Sequence, residues 1–123
     1  MENEKYKILV IDDELTILEL IKDILIDLGY LITTASGGAE ALNILKTSNF
    51  DLILCDITMP GQSGFDVLQE VQRMNTGIKF IFISAFDNQE NIKKGTSMGA
   101  KAFLGKPFNN EELIDVVERT LKN

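Results

Sequence analysis

Asp12, Asp13, Asp56, Ser84 and Lys106 are the residues of this chain whose types and placement suit the handling of a phosphoryl group. Each lies where a short apolar run stops. Lys7 to Ile11 runs into Asp12-Asp13-Glu14, Leu52 to Cys55 into Asp56, Lys79 to Ile83 into Ser84, and Phe103-Leu104 into Lys106-Pro107. Three converging carboxylates with no imidazole or thiol ligand make a hard oxygen site, which suits Mg²⁺ with several waters retained and phosphate oxygens completing its shell. A lysine adds a second positive charge, a hydroxyl donates a hydrogen bond, and a carboxylate can serve as the nucleophile that yields an acyl phosphate. The chemistry indicated is phosphoryl transfer. Singly, each residue has a plainer explanation: acids before a helix complement its dipole, Ser follows a strand as a turn residue, and Lys is ordinarily a solvated charge. Their joint position at strand ends outweighs those explanations. Three like charges at close range also oppose one another, so a cation bound among them should stabilise the fold.

Composition removes several other classes of function. The chain of 123 residues carries a net charge of −7 and contains no histidine and one cysteine. Direct nucleic-acid or anionic-membrane binding needs clustered Lys and Arg, which such a balance disfavours. A Ser-His or Cys-His catalytic pair is impossible, as is an imidazole metal site. No apolar run approaches membrane-spanning length, and no basic and apolar leader opens the chain, so a soluble, cytoplasmic protein is expected. Cys55 reads as core filler within its apolar run. The length suits one domain over residues 1–123, with no room for an output domain.

The elements that must position these residues alternate strand and helix five times. Strands are expected over Lys7 to Ile11, Tyr30 to Ala35, from Leu52 to Asp56, over Lys79 to Ile83 and over Ala100 to Gly105. Between the first two, Ile17, Ile21, Ile24, Leu25 and Leu28 recur at helical spacing, with Gly29 placed as a left-handed C-cap. A second helix over Ala39 to Lys46 puts Ala41, Leu42 and Leu45 on one face. Ser63 with Asp66, Asp87 with Glu90 and Asn109 with Glu112 have the spacing of capping boxes opening the third, fourth and fifth helices. Phe65, Leu68, Val71 and Gln72 follow one stripe of the third, and Leu113, Val116, Val117 and Leu121 face inward from the fifth. The fourth, Asn88 to Ser97, has Ile92 as its single strong apolar anchor and Gly95 in its interior, which makes it the weakest helix. This alternation predicts an α/β fold: a parallel sheet with right-handed crossovers and helices on both faces. Ligands of such sheets bind outside the carboxyl ends of the strands, where the five polar residues lie.

At these residues the chain resembles the receiver domain of bacterial two-component response regulators, over its whole length. The resemblance rests on Val10-Ile11-Asp12-Asp13-Glu14, on Asp56 followed by Met59-Pro60-Gly61 and Gly64, on Ser84-Ala85 and Gly99-Ala100, and on Phe103 three residues before Lys106-Pro107-Phe108. It implies a three-layer flavodoxin-like (βα)5 fold with strand order 2-1-3-4-5. It implies also that Asp56 accepts a phosphoryl group from a sensor histidine kinase or a histidine phosphotransfer protein. Asp13, Asp56 and the Thr58 carbonyl would hold Mg²⁺, with Asp12 assisting through water, while Ser84 and Lys106 contact the phosphoryl oxygens. Phe103 would be the aromatic switch, and Thr58 and Phe86, at the pocket's mouth, would tune dephosphorylation.

Two other classes are weighed beside this one. An aspartyl-nucleophile, Mg²⁺-dependent phosphatase of the haloacid dehalogenase type would share an Asp after a strand, but it would want a second Asp where Thr58 stands. A flavodoxin-like nucleotide-binding module would want a glycine-rich loop after the first strand, where this chain is acidic. On the receiver reading, the weak fourth helix, the fifth strand and the fifth helix form the face that changes on phosphorylation. That face would meet a downstream protein target or an output domain missing from these residues.

Overall fold

The continuous apolar runs form strands of a single sheet. In the computed structural model, which describes residues 6–74, 76–85 and 89–122, β1 (Lys7–Ile11), β2 (Leu31–Ala35), β3 (Leu52–Asp56), β4 (Lys79–Ala85) and β5 (Ala102–Lys106) alternate with α1 (Leu15–Asp27), α2 (Gly38–Leu45), α3 (Gly64–Met74), α4 (Gln89–Ser97) and α5 (Asn110–Lys122). All the strands pair in parallel, in the order β2-β1-β3-β4-β5. This is the flavodoxin-like order implied by the resemblance.

Strand residues alternate between faces, so two cores form from one sheet. Ile8, Val10, Leu54, Ile81, Ile83 and Leu104 pack under Leu18, Ile21 and Leu25 of α1 and Leu113, Val116, Val117 and Leu121 of α5. Leu9, Ile11, Ile53, Cys55, Phe80 and Phe82 face the other way, against Ala41 and Leu45 of α2 and Val67, Leu68 and Val71 of α3. Two apolar residues escaped the helical stripes read from sequence. Leu18 and Val67 are buried, whereas Ile17, Ile24 and Leu28 lie at the edge of the α1 stripe. Gly29 closes α1 at φ 97°, as its position predicts.

Several boundaries move for reasons the pairing makes plain. β4 continues through Ser84 and Ala85 because those residues pair with Gly105 and Lys106, which also carries β5 through Lys106. β2 starts at Leu31, while Tyr30 is buried and leans on Tyr6, ring centroids 6.4 Å apart. Two capping boxes form as expected. The Ser63 N–H donates to Asp66 at 2.9 Å and the Asp66 N–H to the Ser63 hydroxyl at 3.3 Å. Asn109 and Glu112 exchange the same bonds at 2.9 and 2.8 Å. Asp87 of the Asp87–Glu90 box lies outside the described residues, as does Phe86, while Glu90 stands in the first turn of α4.

The fourth helix is held by a residue that composition alone marks as a weakness. Gly95 is the buried residue of α4. A β-carbon there would come within 2.6 Å of the Phe103 ring and 2.8 Å of Phe82, so the absent side chain is what lets α4 close on β4 and β5. Two contacts to α3 complete the attachment: the Gln72 amide donates to the Met98 carbonyl at 2.9 Å, and the Lys94 ammonium stands 4.3 Å from the Phe65 ring centroid. Gln72 therefore lies exposed at the stripe's margin and acts as a tether between helices.

Gly95→Ala sets two effects against each other. Helix propensity favours alanine by about 1 kcal/mol, while overpacking a filled aromatic contact costs about 1–3 kcal/mol. Because Phe82 is fully buried and cannot swing aside, we expect net destabilisation, measured as a lower urea midpoint. Thr96→Ala, on the exposed side of the same helix, should not lower it.

Candidate phosphoryl-transfer site

Strand order places the acids. β1 and β3 are neighbours, with Ile11 opposite Cys55, so the residues that follow, Asp12 and Asp56, emerge side by side. Asp13 joins them: one carboxylate oxygen from each of Asp12, Asp13 and Asp56 lies within 4.8 Å of the others. Asp12 is fully buried and Asp13 exposed. The α3 side is equally tight. A β-carbon on Gly64 would collide with the Asp56 carbonyl oxygen, so the glycine after the Met59-Pro60-Gly61 turn lets α3 begin against the backbone of the acid.

Lys106 reaches the acids from the end of β5. Its ammonium is 2.9 Å from Glu14, 3.1 Å from Asp12 and 3.4 Å from Asp56. The contacts to Glu14 and Asp56 are hydrogen bonds. The Asp12 Oδ2 has charge proximity without a hydrogen-bond partner, while its Oδ1 accepts the Glu14 N–H at 2.9 Å. Asp56 also accepts a hydrogen bond from the Thr58 backbone N–H. Thr58 is exposed, and Ser84 is half-buried one strand away. A cleft of about 360 Å³ collects these groups, lined by Asp13, Glu14, Asp56, Thr58, Ser84, Asn91 and Lys106.

Burial and Asp12 together push the Asp56 carboxyl above its ordinary 3.8, and Lys106 pulls it partly back. For Lys106, burial alone would lower the ammonium, but Glu14 first and then Asp12 and Asp56 outweigh that and raise it. Burial, with Asp56 and Asp12 close by, also drives the Cys55 thiol well up. Cys55 thus remains a neutral core group, as the sequence suggests.

Asp12, Asp13, Asp56, Thr58, Ser84 and Lys106 are thus brought together by the fold. Phe103 lies outside the cleft: it is half-buried beneath Gly95, its ring centroid 5.5 Å from that of Phe82. Two cleft residues were missed as site residues. Glu14 was visible as the third acid of its run, although nothing in one dimension pairs it with a lysine 92 positions away. Asn91 reaches the cleft only because α4 docks beside β4.

The raised Asp56 carboxyl has a consequence for stability. A carboxyl that binds its proton more tightly when folded contributes stability fully present below its unfolded value, which is lost as pH rises through the folded value. Asp56→Asn removes that loss. The variant should therefore melt higher than wild type at neutral pH without divalent cations, and the gap should close as pH falls toward 3.8. Thermal melts from pH 7.5 to 4 measure it; a gap that widens on acidification contradicts it.

A family model described as the response regulator receiver domain matches residues 8–118. The chain is 32% identical over 117 residues to the chemotaxis protein CheY of Bacillus subtilis (strain 168), covering 94% of this chain and 98% of that one. It is 32% identical over 118 residues to the probable transcriptional regulator ycf29 of Pyropia yezoensis, with 94% of this chain matched. Of that relative the chain spans only about half the length, 53%. Among solved structures, the receiver domain of the Francisella response regulator 1452 superposes with a TM-score of 0.88 at 36% identity, covering 96% of this chain and 98% of that one.

Proposed function

The chain belongs to the response regulator receiver domain family, a signalling phosphoacceptor rather than a true enzyme, and from that premise we propose that Asp56 is the residue that takes the phosphoryl group. The choice among three acids rests on their surroundings. Asp12 is wholly buried with one oxygen bound to backbone, and Asp13 is exposed. The Asp56 side chain, 9% exposed, faces the cleft while Lys106 and the Thr58 N–H fix its orientation. Only that acid is both reachable and held. Family membership also sets aside the phosphatase and nucleotide-binding alternatives.

The donor is a phosphorylated histidine on a sensor kinase or phosphotransfer protein. An Asp56 oxygen attacks phosphorus, the P–N bond breaks, and the imidazole leaves with its electron pair and takes up a proton; the product is an acyl phosphate. Lys106 and the Ser84 hydroxyl receive the phosphoryl oxygens, at strand ends fixed before the reaction. The acids fit a hard divalent cation: the donor set is all oxygen, with one carboxylate oxygen of each acid within 4.8 Å of the others. Asp13, Asp56 and the Thr58 carbonyl would hold Mg²⁺, with Asp12 behind them, and the ion would neutralise charge on the transferring oxygens. Thr58 at the cleft's rim and Phe86 tune access of the hydrolytic water.

Signal output follows from α4. This helix lines the cleft through Asn91 and packs on Phe103 of β5 through Gly95, so the face formed by α4, β5 and α5 is the one that changes, for a downstream protein or an output domain to read. The setting is cytoplasmic, consistent with the absence, among the described residues, of a helix long and apolar enough to cross a membrane.

Incubation with acetyl phosphate and MgCl₂ should load one labile acyl phosphate per chain, seen as a shift on a phosphate-affinity gel and blocked by EDTA. Asp56→Asn should load none. Stoichiometric phosphate on that variant would place the acceptor elsewhere.

A further inference from the structure

The lysine that is to meet the phosphoryl group is held most closely by a residue outside the metal and acceptor set. Glu14 lies 2.9 Å from the Lys106 ammonium, nearer than Asp12 at 3.1 Å or Asp56 at 3.4 Å. Glu14 stands at the N-cap position of α1 but makes no side-chain capping bond there. Its carboxylate is instead turned across the cleft mouth to Lys106, while its own N–H secures Asp12.

When a phosphoryl group arrives on Asp56, Lys106 acquires new and more highly charged acceptors and must loosen a contact it already makes. The three acids differ in what release costs. The Asp12 side chain is 0% exposed and would be left as a buried, unpaired charge, which is expensive. Asp56 is the acceptor itself. The Glu14 side chain is 58% exposed, against 18% for Lys106, so Glu14 can be rehydrated where it stands and its release costs less than stranding Asp12. Left beside a phosphoryl dianion, Glu14 is also repelled by it.

Building on the phosphoacceptor role of Asp56, we propose that Glu14 is a positioning residue: an exchangeable counter-ion that parks Lys106 in the unphosphorylated state and is displaced by the phosphoryl group. Glu14 thereby opposes loading, and its strength as a competitor helps set how readily the site is phosphorylated.

Beryllofluoride, formed from BeCl₂ and NaF, is the probe, titrated by calorimetry at saturating MgCl₂. Glu14→Gln keeps an oxygen able to accept from Lys106 and removes the charge; Glu14→Ala removes both. Each should bind the probe more tightly than wild type, by roughly two- to five-fold, the range of an exposed ion pair lost by the competing state. The advantage should shrink as NaCl is raised, because an exposed charge is screened. Asp27→Asn, the same charge change at the far end of α1, should bind like wild type, which separates a local exchange from net charge. Tightening in both Glu14 variants with that salt dependence supports the proposal. Unchanged or weaker binding in Glu14→Ala, with its melting temperature preserved, overturns it alone. Failure of the wild type to bind, or equal binding by Asp56→Asn, would instead remove the acceptor assignment and this inference with it.

Discussion

A fully buried carboxylate needs a positive charge or a proton nearby, and Asp12 is such a group at the centre of this sheet's working end. Lys106 supplies the charge from β5, three strands along the sheet from β1. Neighbouring strands stand about 4.8 Å apart, so a lysine on β5 can approach acids beyond β1 and β3 only by lying across the end of β4. Ser84 and Ala85, small residues paired with Gly105 and Lys106, occupy that end. The ladder between β4 and β5 thus does more than hold the edge strand: it fixes how far along the sheet the ammonium enters.

That arrangement makes the site an unfinished charge balance. Lys106 is one cation facing Asp12, Glu14 and Asp56, with Asp13 close by. Burial first, and then the Asp12 charge beside it, raise the Asp56 carboxyl. A protein selected for stability alone would neutralise such a cluster, and here the surrounding sheet carries it instead. Continuous apolar strands with a core on each face hold the acids' backbones in place, so the repulsion cannot relax by spreading them apart. That excess of negative charge, on an all-oxygen triad, suits the cleft to a cation.

The sequence disclosed most where a residue's role is local. Run length and helical period marked the central strands and most helices, because covered parallel strands must be apolar throughout, while the half-exposed β2 was read from its β-branched residues and α4 from its capping spacing. The five polar residues at strand ends were legible for the same reason, since a strand delivers its last residue to a known edge. Strand order was not: 2-1-3-4-5 came from resemblance, as alternation alone leaves the order of parallel strands open. Pairwise features were hidden as well. Glu14 on Lys106 and Gln72 on the Met98 carbonyl join residues far apart in the chain. Gly95 was legible only in part for a related reason: propensity counts its missing side chain as lost helix stability, while the two aromatic rings it lies against are not revealed by the helix alone.

Those rings belong to one aromatic cluster that joins α3, β4, β5 and α4. Phe82 is fully buried beside Phe80 and Phe65, with ring centroids 4.9 and 5.1 Å away, and Phe103 continues the cluster toward β5. α4 rests on this cluster through Gly95, so its approach is set by ring contact with little aliphatic interlock. Close-packed aromatics resist small continuous shifts and favour discrete repacking. Among the described residues, α4 borders the cleft through Asn91, and Met98 just beyond its other end is tied to α3 by Gln72. Weak propensity and tight aromatic seating therefore divide the work on α4: its own residues supply little helix stability, and the ring contact at Gly95 sets where it docks.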